Sequence, residues 1–250
     1  MVSYGFVNFH PVIPELTSSL QVQTKFTPHF GHPDGETPYD SHGTLEGQVE
    51  ESIKQSLEHL QVEYLDCVFL HSPYGLEEDN MRVWKALESH VPHHARYIGL
   101  SNVSLSLLMK VHSSARIRPS FVQNRFHLRT KYDIDLRKFA QSNAIVYQAF
   151  GMLHACPEIL QSGALDEIAD RLSVKRELAL YAVMAAPGNV QILTGTTNET
   201  HMIETLTLFR DMLSNPPLRA TVTSFVNEFE VLLNDIVSYA TSRGSNKART

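Results

Sequence analysis

From residue 18 onward the chain alternates short β-branched or apolar runs with longer segments of helical period, and this alternation restricts the fold more than any other feature. The strand-like runs are residues 20–25, 64–71, 97–100, 121–124, 144–148 and 190–194. Between the first two, residues 45–60 repeat apolar side chains at Val49, Ile53, Leu57 and Leu60, a stripe along one face of a helix. Residues 81–89, 105–111, 136–141, 165–172, 176–184 and 202–209 read as further helices. Roughly six β-then-α units in series imply an α/β protein with a parallel sheet, either a (β/α) barrel or a doubly wound sheet. No strand is followed by G-x-G-x-x-G, which favours the barrel. The units follow one another without a linker, so residues 1–250 read as one domain. A last helix is expected over 221–239, with the polar end 241–250 disordered.

With 42% hydrophobic and 19% charged residues, the chain can bury a core and should be soluble. A formal charge of −6 with scattered Lys and Arg excludes the basic stripe that nucleic acid needs, so small molecules are the expected partners. No apolar stretch reaches membrane-spanning length, and the first sixteen residues lack the pattern of a signal peptide. Cys67 and Cys156 show no metal or redox spacing and read as reduced, buried thiols, which together place the protein in the cytoplasm. The 13 histidines include His29 and His32 in one loop and His90, His93 and His94 in another. Neither group has acidic or thiolate partners at ligand spacing, and no metal is expected.

In a barrel, chemistry gathers where strands end, so the polar residues closing each run carry the functional reading. They are Lys25, His71, Ser101 with Asn102, Gln123 with Asn124, Tyr147 with Gln148, and the stretch 195–198. Ser101 and Asn102 would equally suit the N-cap of the following helix.

Taken in order, VQTKF, SLEHLQVEYLDCVFLHSP, IGLSN, VQNRF, VYQAFG and ILTGTTNETHM resemble the strand ends of the aldo-keto reductases over about residues 22–209. The loop TPHFGHPDGETPYDSHGTL resembles a fungal-type branch. The resemblance implies a (β/α)8 TIM-barrel type domain, N-terminally truncated with roughly six βα units retained and an atypical segment over 1–18. It implies reduction of an aldehyde or ketone by NADPH, with NADH as an alternative cofactor, as a tailoring step in secondary metabolism. Lys25 corresponds to the family's catalytic lysine and His71 to its histidine. Ser101, Asn102 and Gln123 correspond to residues that hold the nicotinamide amide, and Tyr147, with Gln148 beside it, to the aromatic face under the ring. Gly195, Thr196, Thr197, Asn198 and His201 correspond to the phosphate grip. Gly195 and His201 stand where many NADPH-binding members place a lysine and an arginine, so NADPH should bind more weakly than in those members.

The family pairs its lysine with an aspartate and a proton-donating tyrosine upstream. Residues 1–24 contain no aspartate, one acid, Glu15, and one tyrosine, Tyr4, which precedes Lys25 by 21 positions (25 − 4) where the family's spacing is nearer thirty. Tyr4 is the candidate donor, with Tyr39 in the loop after Lys25 as a substitute. A protonated His71 could also supply the proton, and the rate would then fall as pH rises through about 6–7. Two other readings stay open: a family member that binds ligand or cofactor without redox turnover, and a non-redox acid–base enzyme acting through Lys25 and His71.

Overall fold

The computed structural model describes residues 21–32 and 35–247; Tyr4, Glu15 and the whole segment 1–18 lie outside the described residues. Among the described residues six strands form one sheet: β1 (Gln23–Phe26), β2 (Leu65–Leu70), β3 (Ala95–Ser101), β4 (Phe121–Arg125), β5 (Val146–Phe150) and β6 (Val190–Leu193), neighbours in sequence being neighbours in space. The first three pairs are parallel, with Lys25 opposite Phe69, Phe69 opposite Gly99 and Ser101 opposite Gln123. Parallel neighbours need a crossover, and α1 (Leu45–Leu60), α2 (Glu77–Ser89), α3 (Leu105–Ser114), α4 (Ile134–Ser142) and the pair α7 (Gly163–Leu172) and α8 (Arg176–Ala185) supply them. Two single-turn helices, α5 (Met152–Ala155) and α6 (Pro157–Leu160), fill the β5–α7 connection, and α9 (Glu199–Ser214) follows β6. This is the parallel α/β architecture that the alternating pattern implies.

Strand pleating separates the side chains of each strand into two sets. On one face, Cys67, Phe69, Phe121 and Val146 form a buried cluster with Tyr97 packed against it. Gly99 sits in this layer because nothing larger fits: a Cβ there would lie 2.6 Å from the Phe69 ring and 2.9 Å from the Phe121 carbonyl oxygen. The opposite face meets the helices, as where Thr24 Oγ1 bonds Ser56 Oγ of α1 at 3.0 Å. Helix α1 keeps the bounds its stripe implies, with Val49 and Ile53 buried. Thr44 caps it, its hydroxyl accepting from Gly47 N at 3.1 Å.

The helix expected over 221–239 is two helices, α10 (Pro216–Ser224) and α11 (Val226–Lys247). Asn215 caps α10 ahead of two prolines, and a tight 3₁₀-type bond from Phe225 N to Val222 O closes it. Phe225, Phe229 and Leu233 continue as a buried stripe. The polar end is helical as far as Lys247 where disorder was expected, because α11 simply extends its hydrogen-bond ladder.

The described residues fall into two compact units, one comprising 21–32, 35–124 and 138–147, the other 125–137 and 148–247. Within the second, Lys131, Tyr132 and Asp133 all adopt left-handed backbone angles, φ 53°, 53° and 50°. Arg137 holds that turn by donating to Tyr132 O at 3.1 Å while pairing with Glu230 at 2.6 and 3.2 Å. Among the described residues, no helix is long and apolar enough to cross a membrane.

Candidate active site

Because side chains alternate, Lys25 shares the face of β1 that its partner Phe69 defines, and it lies next to the C-terminal end of the strand, level with the Phe69 and Phe121 rings. His71 follows β2 at the same rim, its backbone N donating to Phe26 O at 2.9 Å. Burial lowers the pKa of Lys25, and the Cys67 thiol beside it stays neutral because its own burial, with Asp66 adding to it, pushes it up. Among the described residues no carboxylate pairs with Lys25; the neighbouring Asp66 instead accepts from Val22 N at 2.8 Å.

His71 departs from the expectation of a protonated donor near neutral pH. Burial, then the Lys25 cation and His32, depress its pKa from 6.5 to about 4. The imidazole is therefore neutral at physiological pH, and its Nδ1 bonds Thr27 Oγ1 at 2.8 Å. The Thr27 carbonyl oxygen in turn accepts from Tyr39 Oη at 2.7 Å and from His32 Nε2 at 3.1 Å. Tyr39 is thus not a mobile substitute donor: it is buried, its hydroxyl is engaged, and desolvation pushes its pKa up to about 12. Thr27 itself was not singled out in the sequence, although it lies two positions beyond Lys25 and so continues that residue's side of the strand.

Asn102 joins the ends of β2 and β3. Its backbone is left-handed at φ 56°, a conformation Asn tolerates, and its N–H donates to Gln123 O at 3.0 Å. Its side-chain amide donates to His71 O at 2.9 Å and to Ser101 Oγ at 3.2 Å. Ser101 and Gln123 are buried beside it. Asn124 clamps the next residue from the far side, exchanging two hydrogen bonds of 3.0 and 2.8 Å with the backbone of Val103. Neither Ser101 nor Asn102 caps α3; Ser104 does, accepting from Leu107 N at 3.3 Å. The N-cap alternative is thereby removed, and both residues are left to the rim.

Tyr147 is displaced from its expected role by strand geometry. Val146 belongs to the inner cluster, so Tyr147, one residue on, faces the helices and is fully buried there. Gln148 occupies the inner position instead, and its Nε2 donates to Gln191 Oε1 of β6 at 2.8 Å. Gln191 Nε2 is buried without a hydrogen-bond partner among the described residues, an orphaned donor that a polar ligand atom would satisfy.

In the second unit, Gly195, Thr196 and Thr197 form an exposed connection from β6 to α9. Asn198 is the N-cap, accepting from His201 N at 3.3 Å, and its own N–H reaches Thr196 Oγ1 at 3.1 Å. A helix N-terminus favours anions, but Glu199 in the first turn already places a carboxylate there. A Cβ on Gly195 would meet nothing within 4 Å, and the exposed His201 is the loop's one titratable base.

The chain matches the model of the aldo/keto reductase family over residues 14–179. It is 28% identical over 190 residues to the D-galacturonate reductase of Fragaria ananassa, covering 67% of this chain and 59% of that protein. It is 26% identical over 197 residues to the NADPH-dependent codeinone reductase 1-2 of Papaver somniferum, covering 70% and 60%. The chain spans about three fifths of the length of these relatives. Among solved structures, an aldo-keto reductase (AKR2E5) complexed with NADPH superposes with TM-score 0.63 at 18% identity, covering 82% of this chain and 64% of that one. MGS-M4, an aldo-keto reductase from a deep-sea metagenome library, gives 0.62 at 18% identity, covering 82% and 70%. At such identities the likeness speaks for the fold alone.

Proposed function

This chain belongs to the aldo/keto reductase family, and we propose that it reduces the carbonyl group of a small aldehyde or ketone with NADPH, as a tailoring step on a small molecule in the cytoplasm. The observation that carries this reading is the meeting of Lys25 and the neutral His71 at one rim, next to the amides of Asn102 and Gln123. The names of an NADPH-dependent relative and of an NADPH complex support the cofactor, and two free, buried thiols suit a reducing compartment.

Bound NADPH would supply a hydride to the carbonyl carbon, and the carbonyl oxygen would take up a proton from solvent water to give the alcohol and NADP⁺. Lys25, a cation at the rim, stabilises negative charge developing on that oxygen, and His71 orients it through Nε2. Ser101, Asn102 and Gln123 supply amide and hydroxyl groups for the nicotinamide carboxamide. Gln148 and the orphaned donor of Gln191 replace Tyr147 as polar contacts in the second unit. Gly195, Thr196, Thr197, Asn198 and His201 supply the phosphate end, without the guanidinium clamp that would favour NADPH strongly.

A second reading, cofactor binding without turnover, is favoured by one observation: among the described residues Lys25 lacks a carboxylate partner and the Tyr39 phenol is already committed. Titrating the protein into NADPH and into NADH, and then following NADPH oxidation with model aldehydes, separates the readings. Quenching of nicotinamide fluorescence followed by aldehyde-dependent oxidation supports reduction; quenching without oxidation supports the second reading. No response to either nucleotide would overturn both.

A further inference from the structure

We propose that Thr27 is a positioning residue that fixes the tautomer of His71, its hydroxyl donating to Nδ1 so that Nε2 carries the imidazole proton and presents it to the substrate oxygen. The inference rests on the carbonyl-reduction reading for its purpose but on hydrogen bonding for its content.

The contact at 2.8 Å between Thr27 Oγ1 and His71 Nδ1 can be made in two ways. If Nδ1 bore the proton, the hydroxyl would accept it, and its own proton would have no acceptor among the described residues. If the hydroxyl donates, its single proton is used and the imidazole lone pair is satisfied at once. The first arrangement leaves two groups unpaired among the described residues, the hydroxyl proton and the Nε2 lone pair, whereas the second leaves only the Nε2 proton, the group a substrate oxygen would accept, and fewer unmet half-buried groups cost less. The depressed pKa of His71 keeps the ring neutral, so that a single tautomer, and not the doubly protonated cation, is the species to be fixed.

Thr27 is itself held from behind. A carbonyl oxygen only accepts, so both Tyr39 Oη and His32 Nε2 must donate to Thr27 O, at 2.7 and 3.1 Å. Tyr39 is buried and packs against the rings of Phe26 and His32 at centroid distances of 5.6 and 6.0 Å. Two donors on one carbonyl restrain the peptide plane that follows Thr27, and the bond of the hydroxyl to His71 Nδ1 selects its rotamer. The loop after β1 therefore acts on His71 through Thr27, which gives this loop a task at the rim beyond connecting β1 to α1.

Nitrogen NMR of ¹⁵N-histidine-labelled protein tests this directly, with a His71→Gln sample identifying the His71 signals. The expected spectrum at neutral pH shows an acceptor-type Nδ1 and a proton-bearing Nε2. Thr27→Val should move His71 toward a tautomer mixture, and Thr27→Ser should restore the original signals. In turnover, Thr27→Val should lower kcat by about tenfold or more with NADPH affinity unchanged. A wild-type spectrum with the proton on Nδ1 overturns the proposal, as does a Thr27→Val spectrum identical to wild type. The wild-type measurement needs neither a stable variant nor activity. An Nε2-protonated His71 that responds to Thr27 in a protein that never oxidises NADPH would leave this inference standing and sink the functional reading instead.

Discussion

The rim above β1–β4 and the loop before α9 are built on opposite principles. At the rim, His71, Asn102 and Thr27 are tied to one another and to the backbone by bonds of 2.7–3.0 Å, so the geometry exists before any ligand arrives. In the loop, Gly195 to His201 are largely exposed, and the bonds they make serve to start α9. The difference teaches where free energy must come from: the rim has already fixed its groups during folding, whereas the exposed side chains of the loop are held by few bonds, and a ligand there would have to immobilise them at a cost in affinity.

If that contrast is right, the rim should govern rate and the loop affinity. Replacing Lys25 by Met, or His71 by Ala, is expected to lower kcat/KM on a model aldehyde by roughly 10²–10⁴-fold with little change in NADPH Kd. A matching loss of NADPH affinity would break the division. The converse variant is Gly195→Lys combined with His201→Arg. Open space at Gly195 admits the side chain, and charge-assisted contacts of about 1–3 kcal/mol each should tighten NADPH tenfold or more in a fluorescence titration. Unchanged affinity would mean that this loop does not meet the 2′-phosphate.

Two glycines sharpen the same comparison on the scale of stability. Gly99→Ala drives a methyl group into Phe69 and the Phe121 carbonyl and should cost about 1–3 kcal/mol, or more where the backbone oxygen cannot move. Gly195→Ala meets nothing and should stay within about 0.5 kcal/mol in denaturant unfolding. A smaller effect concerns acid. The folded pKa of His71, about 4, lies below its ordinary 6.5, so between those values the unfolded chain binds more protons and stability falls as pH drops. His90, His112 and His127 are also lowered, chiefly by burial, and add in the same direction. His71→Asn should flatten the fall of Tm with pH across that window, and an unaltered slope would show that His71 is not depressed.

Much of the architecture is legible in the sequence because burial imposes its period on it. Residues 45–60 form α1 as their stripe implies, the six strand runs all become strands, and the family assignment follows from the order of their ends. What escaped the sequence depends on partners distant along the chain. The protonation of His71 is set first by burial that no local pattern states, and then by Lys25, forty-six positions away (71 − 25). The role of Thr27 needed only the alternation already in use, since it sits two residues beyond Lys25. The resemblance of VYQAFG to a family strand end puts the Tyr147 ring under the nicotinamide, whereas the pleat decides which of Tyr147 and Gln148 faces inward. The break at Phe225 is invisible to periodicity, because Phe225, Phe229 and Leu233 keep the same stripe across it.

The arrangement of β5 makes chain length there a chemical variable. Ala144, left-handed at φ 55°, ends the short turn from α4, and two residues later Val146 faces inward. Removing one residue from that turn would turn the whole strand over, bringing the Tyr147 phenol to the inner surface and sending the Gln148 amide out to the helices. Relatives whose strands are alike in composition can therefore meet a cofactor with different groups merely by differing in the count of residues before the strand. Over evolutionary time, such an insertion or deletion would retune ring recognition in a single event, with no substitution in the strand itself.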